Sequence, residues 1–129
     1  MAKTTRHATY NLNYHLIWLP KYRHPVLVDE VKERVASILG EIAEDKGLEV
    51  LDLTIQPDHI HLFVSSPPKH APALLVNWFK GISSRKYNYR FVDDDSKKLR
   101  WARGYYAGSA GKVSSETVKQ YIQRQEGPK

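Results

Sequence analysis

Two histidines separated by one aliphatic residue, His59-Ile60-His61, lie inside the run Ile55-Gln56-Pro57-Asp58-His59-Ile60-His61-Leu62-Phe63-Val64. An extended chain alternates its side chains with period two, so both imidazoles leave one face while Ile60, Leu62 and Val64 leave the other. Two neutral ring nitrogens aimed at one point suit a divalent cation, and a cation held there polarises a phosphate. A structural metal site or a chance spacing fits the same pattern about as well. Two ligands are also too few for a catalytic centre, which takes three protein groups and an open position.

A third group is available near the end of the sequence. Thr117, Tyr121 and Gln125 recur at i, i+4 and i+8 and share one helix face, in contrast to the apolar Val118 and Ile122. The Gln125 carbonyl oxygen suits a hard cation such as Mg²⁺ or Mn²⁺. Tyr121 stands one turn earlier. A tyrosine beside a metal on a basic protein points to phosphoryl transfer through a covalent phosphotyrosine. A half-buried helix tyrosine is the plain alternative. Tyr105 and Tyr106 are rival nucleophiles that fit better as sheet residues. Asp58 either orients a histidine from behind or serves the Pro57-Asp58 turn.

The elements that must position these groups are legible in outline. Tyr10 to Leu19 alternates, with Tyr10, Leu12, Tyr14, Leu16 and Trp18 on one face and Asn11, Asn13 and His15 on the other, and Pro20 ends the strand. Asp29 is expected to cap a helix whose apolar face is Val31, Val35, Ile38, Leu39 and Ile42, closed by Gly47. Leu48 to Ile55 is a second strand, joined through Pro57-Asp58 to the histidine strand as a hairpin. Leu74, Leu75, Trp78, Phe79 and Ile82 mark a second helix, and Trp101 to Ala107 a fourth strand.

Gly108-Ser109-Ala110-Gly111 is expected to be a flexible link. Ser114 then caps a last helix, stapled by Val113 and Val118 and stopped at Gly127-Pro128. The order β-α-β-β-α-β plus one helix predicts an α+β fold, the ferredoxin-like (RRM-like) split βαβ sheet with an added C-terminal helix. One domain over 1–129 follows, with 109–129 as hinge and catalytic helix. Two helices should cover one sheet face through Ile60, Leu62 and Val64. His59, His61 and His15 then share the other face, beneath the last helix.

Composition narrows the partners. The 129 residues are 41% hydrophobic, enough for one core, and contain no cysteine, which excludes disulfides, thiolate metal sites and cysteine nucleophiles. The formal charge of +6 favours polyanions, the more so because Asp93-Asp94-Asp95 gathers several acids in one place. Lys21, Arg23, Lys80, Arg85 and Lys86 are candidates for nucleic-acid backbone contacts. Met1-Ala2-Lys3-Thr4-Thr5 leads into polar sequence, and no run is long enough to span a bilayer, so a cytoplasmic protein without a membrane partner is expected.

Ordered along the chain stand Tyr14-His15-Leu16-Ile17-Trp18, Lys21-Tyr22-Arg23, Val26-Leu27, Pro57-Asp58-His59-Ile60-His61-Leu62, Gly104-Tyr105-Tyr106 with Gly111, and Val118-Lys119-Gln120-Tyr121-Ile122 followed by Gln125. This set resembles the single-tyrosine HUH transposases of bacterial and archaeal insertion sequences over nearly the whole chain. The resemblance implies that His59 and His61 bind the metal, that Gln125 is the third ligand, and that Tyr121 attacks a DNA phosphate. The products would be a 5′-phosphotyrosine and a free 3′-hydroxyl, and strand transfer would reverse the step without a nucleotide cofactor. It further implies a homodimer acting on single-stranded DNA marked by hairpins, with the tyrosine helix exchangeable between protomers about Gly108 to Gly111. Two other functions remain open on the sequence: a domesticated relative acting on chromosomal palindromic repeats, and a non-catalytic RNA- or DNA-binding module, since split βαβ sheets commonly bind RNA.

Overall fold

A four-stranded antiparallel sheet carries the histidines on one face and packs two long helices on the other. The computed structural model describes residues 3–4, 9–10, 12–109 and 115–125. Along the chain these form β1 (Lys3–Thr4), β2 (Thr9–Tyr10), β3 (Asn13–Trp18), α1 (Asp29–Asp45), β4 (Glu49–Gln56), β5 (His59–Ser65), α2 (Pro72–Phe91), β6 (Tyr106–Ser109) and α3 (Ser115–Arg124). The main sheet runs β4-β5-β3-β6, and β1 pairs with β2 in a separate ribbon. With α1 after β3 and α2 after β5, this is the split βαβ α+β fold that the sequence predicts.

The core follows from the alternation. Leu16 pairs with Leu62 and Trp18 with Ile60 across β3 and β5, and all four are fully buried under the helices. Leu53 and Ile55 of β4 extend the same rows. From above, α1 contributes Val35, Ile38, Leu39 and Ile42, and α2 contributes Leu75, Val76 and Phe79. Each such side chain is worth about 1.5–3 kcal/mol of burial. Gly47 ends α1 at φ +69, a left-handed conformation that suits glycine. There the Leu48 N–H reaches the Ala43 carbonyl and the Gly47 N–H reaches Glu44, a paired closure of the last turn.

Several expected boundaries move. Tyr10 belongs to β2 and the sheet strand starts at Asn13, while Asn11 lies outside the described residues. Asp29 sits inside the first turn of α1 and does not cap it; Val28 precedes the helix, with no side-chain cap. The carboxylates of Asp29 and Glu30 instead favour the positive end of the helix dipole. On α2, Leu74 is exposed, and the buried stripe runs through Leu75, Val76, Phe79, Ser83 and Tyr87. Position 83 is a serine because its hydroxyl accepts the Trp101 Nε1 hydrogen at 3.0 Å.

The last strand is also displaced. Trp101 forms only a bridge to Pro20, and β6 begins at Tyr106. Gly108 and Ser109, expected as a hinge, are strand residues paired with His15 and Tyr14. Ala110, Gly111, Val113, Ser114, Gly127 and Pro128, on which the rest of the link, cap, staple and stop were placed, lie outside the described residues. Among the described residues, no helix is long and apolar enough to cross a membrane.

Candidate active site

The face of the sheet opposite α1 and α2 is built in cross-strand rows. Tyr106 of β6, Ile17 of β3, His61 of β5 and Thr54 of β4 form one row; Gly108, His15, Phe63 and Asp52 form the next. Directly opposed residues of an antiparallel pair share a face. His59 follows His61 at period two and pairs with Gln56. The two histidines therefore project together, as their spacing predicts. This face is less open than expected: Ile17 and Leu19 are essentially fully buried and His15 is 6% exposed.

Each imidazole is held by a neighbour. His59 Nδ1 lies 3.0 Å from Oδ1 of Asp58, which sits in the turn between β4 and β5. His61 Nε2 lies 2.9 Å from His15 Nδ1, and the His15 ring stacks on Phe63 with centroids 4.1 Å apart. One nitrogen of that histidine pair donates and the other accepts, so the contact holds one proton. Burial, followed by the charges of His15 and His59, pushes the His61 pKa below the usual imidazole value, against an upward pull from Asp52. A lowered pKa favours the neutral ring, the form in which imidazole coordinates metals.

The last helix meets this face at its β6 edge, through Tyr106. Thr117, Val118, Tyr121 and Ile122 are half-buried on its inner stripe, as is Gln125 just beyond it, while Glu116, Lys119, Gln120 and Gln123 are exposed. The Tyr121 ring lies 6.1 Å from that of Tyr106. Gly104 comes so near that a Cβ there would stand 3.6 Å from Tyr121 Oη and 4.0 Å from Gln125 Oε1. Gln125 Nε2 donates to the Tyr121 carbonyl at 3.0 Å, which orients the amide. Burial raises the Tyr121 phenol above its usual pKa. Tyr106 owes its pose to a second glycine, for a Cβ at Gly108 would lie 2.8 Å from Tyr106 Oη.

Two cations organise the surroundings. Lys80 of α2 donates to the carbonyls of Ala102, Arg103 and Gly104 at 2.7, 3.0 and 3.2 Å. An ammonium has three donors. Those of Lys80 are spent on the segment that underlies Tyr121, and burial lowers its pKa. Arg23 Nη1 donates to the Ile122 carbonyl at 3.1 Å, and its Nε lies 3.8 Å from Asp58 Oδ2. Tyr22 and Arg23 adopt left-handed backbone at φ 58 and 52, which costs about 1–2 kcal/mol each for L-residues.

The other basic residues named from the sequence are dispersed. Lys86 lies 3.3 Å from Glu41, which Arg90 grips with two bonds of 2.7 and 2.8 Å. Lys21 and Arg85 are exposed. A cavity of about 580 Å³ borders Gln125 and is lined by Lys21, Arg23, Arg100 and Arg103, together with Tyr22 and Trp101. The sequence reading does not single out Arg100 and Arg103, since a strand over 101–107 conceals the loop there; their i, i+3 spacing just before Gly104-Tyr105-Tyr106 is the available signal. Among the described residues, no cluster of three histidine or acidic side chains is disposed around one metal position.

The sequence profile of IS200-like transposases matches residues 8–125. The ISDra2 transposase TnpA of Deinococcus radiodurans is 36% identical over 126 residues, 95% of this chain and 90% of that protein. The transposase for insertion sequence element IS200 of Salmonella typhimurium is 32% identical over 126 residues, covering 95% and 82%. A crystal structure of a Deinococcus radiodurans protein described as a candidate transposase superposes with a TM-score of 0.84 at 37% identity, covering 97% of this chain and 98% of that one. A REP-associated tyrosine transposase bound to a REP hairpin shares the fold, with a TM-score of 0.59 at 12% identity over 95% of this chain and 67% of that one.

Proposed function

The chain belongs to the IS200-like transposase family, and on that premise we propose that it cleaves and rejoins single-stranded DNA at hairpin-marked element ends through a 5′-phosphotyrosine on Tyr121. The observation that carries this reading is the seat of α3: Tyr121 contacts Tyr106, whose row across the sheet includes His61. Tyr106 is a paired strand residue, which favours Tyr121 over that rival.

His59, His61 and Gln125 would hold a divalent cation, Mg²⁺ or Mn²⁺. The donors fit one: both histidines have a partner on one ring nitrogen, Asp58 and His15 respectively, the support that metal-ligating imidazoles use. When bound, such a cation polarises the scissile phosphate and offsets its developing charge. Tyr121 Oη attacks phosphorus, the P–O3′ bond breaks, and the phenolic proton departs while the leaving 3′ oxygen gains one. The 5′-phosphate stays on Tyr121. Rejoining is the reverse, a 3′-hydroxyl displacing the tyrosine, so no nucleotide cofactor is needed.

Lys21, Arg85 and Arg103 are the phosphate contacts of this proposal, since Lys80, Lys86 and Arg100 have protein partners. The REP hairpin held by the neighbour of the same fold supports a hairpin substrate. A homodimer, with α3 exchangeable between copies, belongs to the same proposal, as does a cytoplasmic setting. The test is an adduct assay. Protein, Mg²⁺ or Mn²⁺ and single-stranded element-end DNA should give an SDS-stable covalent product that EDTA prevents and Tyr121→Phe abolishes. Persistence of the adduct in Tyr121→Phe refutes the nucleophile; hairpin binding with no adduct under any metal supports a binding module instead.

A further inference from the structure

We propose that Arg23 is a positioning residue that clasps the tyrosine helix α3 to the histidine strand, rather than a DNA-backbone contact. Its catalytic consequence rests on reading Tyr121 as the nucleophile; the clasp itself rests on geometry. Arg23 Nη1 bonds the carbonyl of Ile122, the residue after Tyr121 and 99 positions from Arg23. Arg23 Nε faces Asp58 Oδ2, and the other carboxylate oxygen of Asp58 meets His59 Nδ1. A path of two side chains therefore joins a candidate metal ligand to the backbone beside Tyr121.

Three features support a structural clasp. The Ile122 carbonyl lies in the last turn of α3, where the helix dipole is negative, so a guanidinium is favoured there. The Gln125 N–H donates to the same oxygen at 3.0 Å, so the clasp also bears on the turn that presents Gln125. Finally, the side chain is aimed by two consecutive left-handed residues, Tyr22 and Arg23. Such backbone persists where its surroundings hold it, here by bonds from Lys21 N to the Arg100 carbonyl and from Arg23 N to the Pro20 carbonyl. A planar guanidinium can serve a carbonyl and a carboxylate at once, which an ammonium on a flexible stem does less well.

The test compares amide hydrogen exchange of the full chain and its Arg23→Met and Arg23→Lys variants, followed by single-turnover adduct formation at saturating DNA. In Arg23→Met, amides of 115–125 should exchange on the order of tenfold faster, the factor that one charge-assisted hydrogen bond supplies. Those of β3 and β5 should not change. Arg23→Lys should recover part of the protection. The adduct rate should fall in step with α3 protection while DNA affinity holds. Unchanged α3 exchange, with weaker DNA binding and a salt slope reduced by about 1, marks a phosphate contact and overturns the proposal. Should Arg23→Met melt the sheet, Arg23→Gln, too short for both partners, replaces it, and unchanged α3 exchange there overturns the proposal equally. An adduct that survives Tyr121→Phe sinks the nucleophile and leaves the exchange result standing.

Discussion

His15 Nδ1 and His61 Nε2 meet at 2.9 Å across β3 and β5, although 46 residues separate them. They sit diagonally, since His15 pairs with Phe63 and His61 with Ile17. His15 thus supports the ring of a candidate metal ligand. Replacing His15 by Phe keeps an aromatic ring to stack on Phe63 and removes the nitrogen. Affinity for Mn²⁺ should fall on the order of 10–100-fold, the usual cost of losing such a partner. Calorimetric titration of Mn²⁺ reads it, and unchanged affinity would mean that the pair only packs.

Gly104 offers a graded probe of the space around Tyr121. A Cβ there meets Tyr121 Oη at 3.6 Å, an ordinary contact, so Gly104→Ala should keep most adduct formation. Gly104→Leu sets a branched side chain beside Tyr121 Oη and should displace α3, lowering the adduct rate on the order of tenfold or more while the melting temperature stays near wild type. Equal rates in the two variants would show that Tyr121 reacts from another position.

Lys80 ties α2 to the segment beneath Tyr121 through three carbonyls. Lys80→Met should destabilise the domain by about 1–3 kcal/mol, because the carbonyls lose a charged donor in a partly buried place. Urea denaturation measures the loss. An arrangement in which Lys80 chiefly binds DNA predicts little change in stability and a large change in affinity.

Glu41 sets an acid limit on the α1–α2 contact. Hydrogen bonds from Arg90 and then Lys86 lower its carboxyl from 4.5 to about 2 in the folded chain. A depressed folded-state pKa gives stability that is full above the unfolded value and lost as pH falls through the folded one. Wild type should therefore exceed Glu41→Gln in stability at neutral pH, with the gap closing between pH 4.5 and about 2. The gap should also be modest and salt-sensitive, because these side chains are more than a third exposed. Melts across that range, with and without added salt, check both statements.

How much of this was legible depends on the range of the interaction. The common face of His59 and His61, the apolar face of α1 and the strand–helix order rest on local periodicity, and the sheet follows them. Trp101 departs from expectation because aromatics at 101, 105 and 106 imitate a strand, whereas its backbone only bridges Pro20 and its indole bonds Ser83. Leu74 misled by falling beside the buried stripe. Gly108 suggested a hinge, although its missing side chain makes room for the Tyr106 ring.

Sequence alone determined which groups face together within an element, because backbone geometry fixes the periods of strand and helix regardless of what lies across from them. It thereby supplied two imidazoles on one side of β5 and a tyrosine with a glutamine on one side of α3. Only the tertiary structure decided what holds these groups: Asp58 and His15 on the imidazoles, Lys80 beneath the tyrosine, and Arg23 on the carbonyl of Ile122. Apart from Asp58, these partners come from other elements or loops, up to 99 positions away. Sheet register and the path of the loops bring them into reach, and neither is written in the spacing of any one segment.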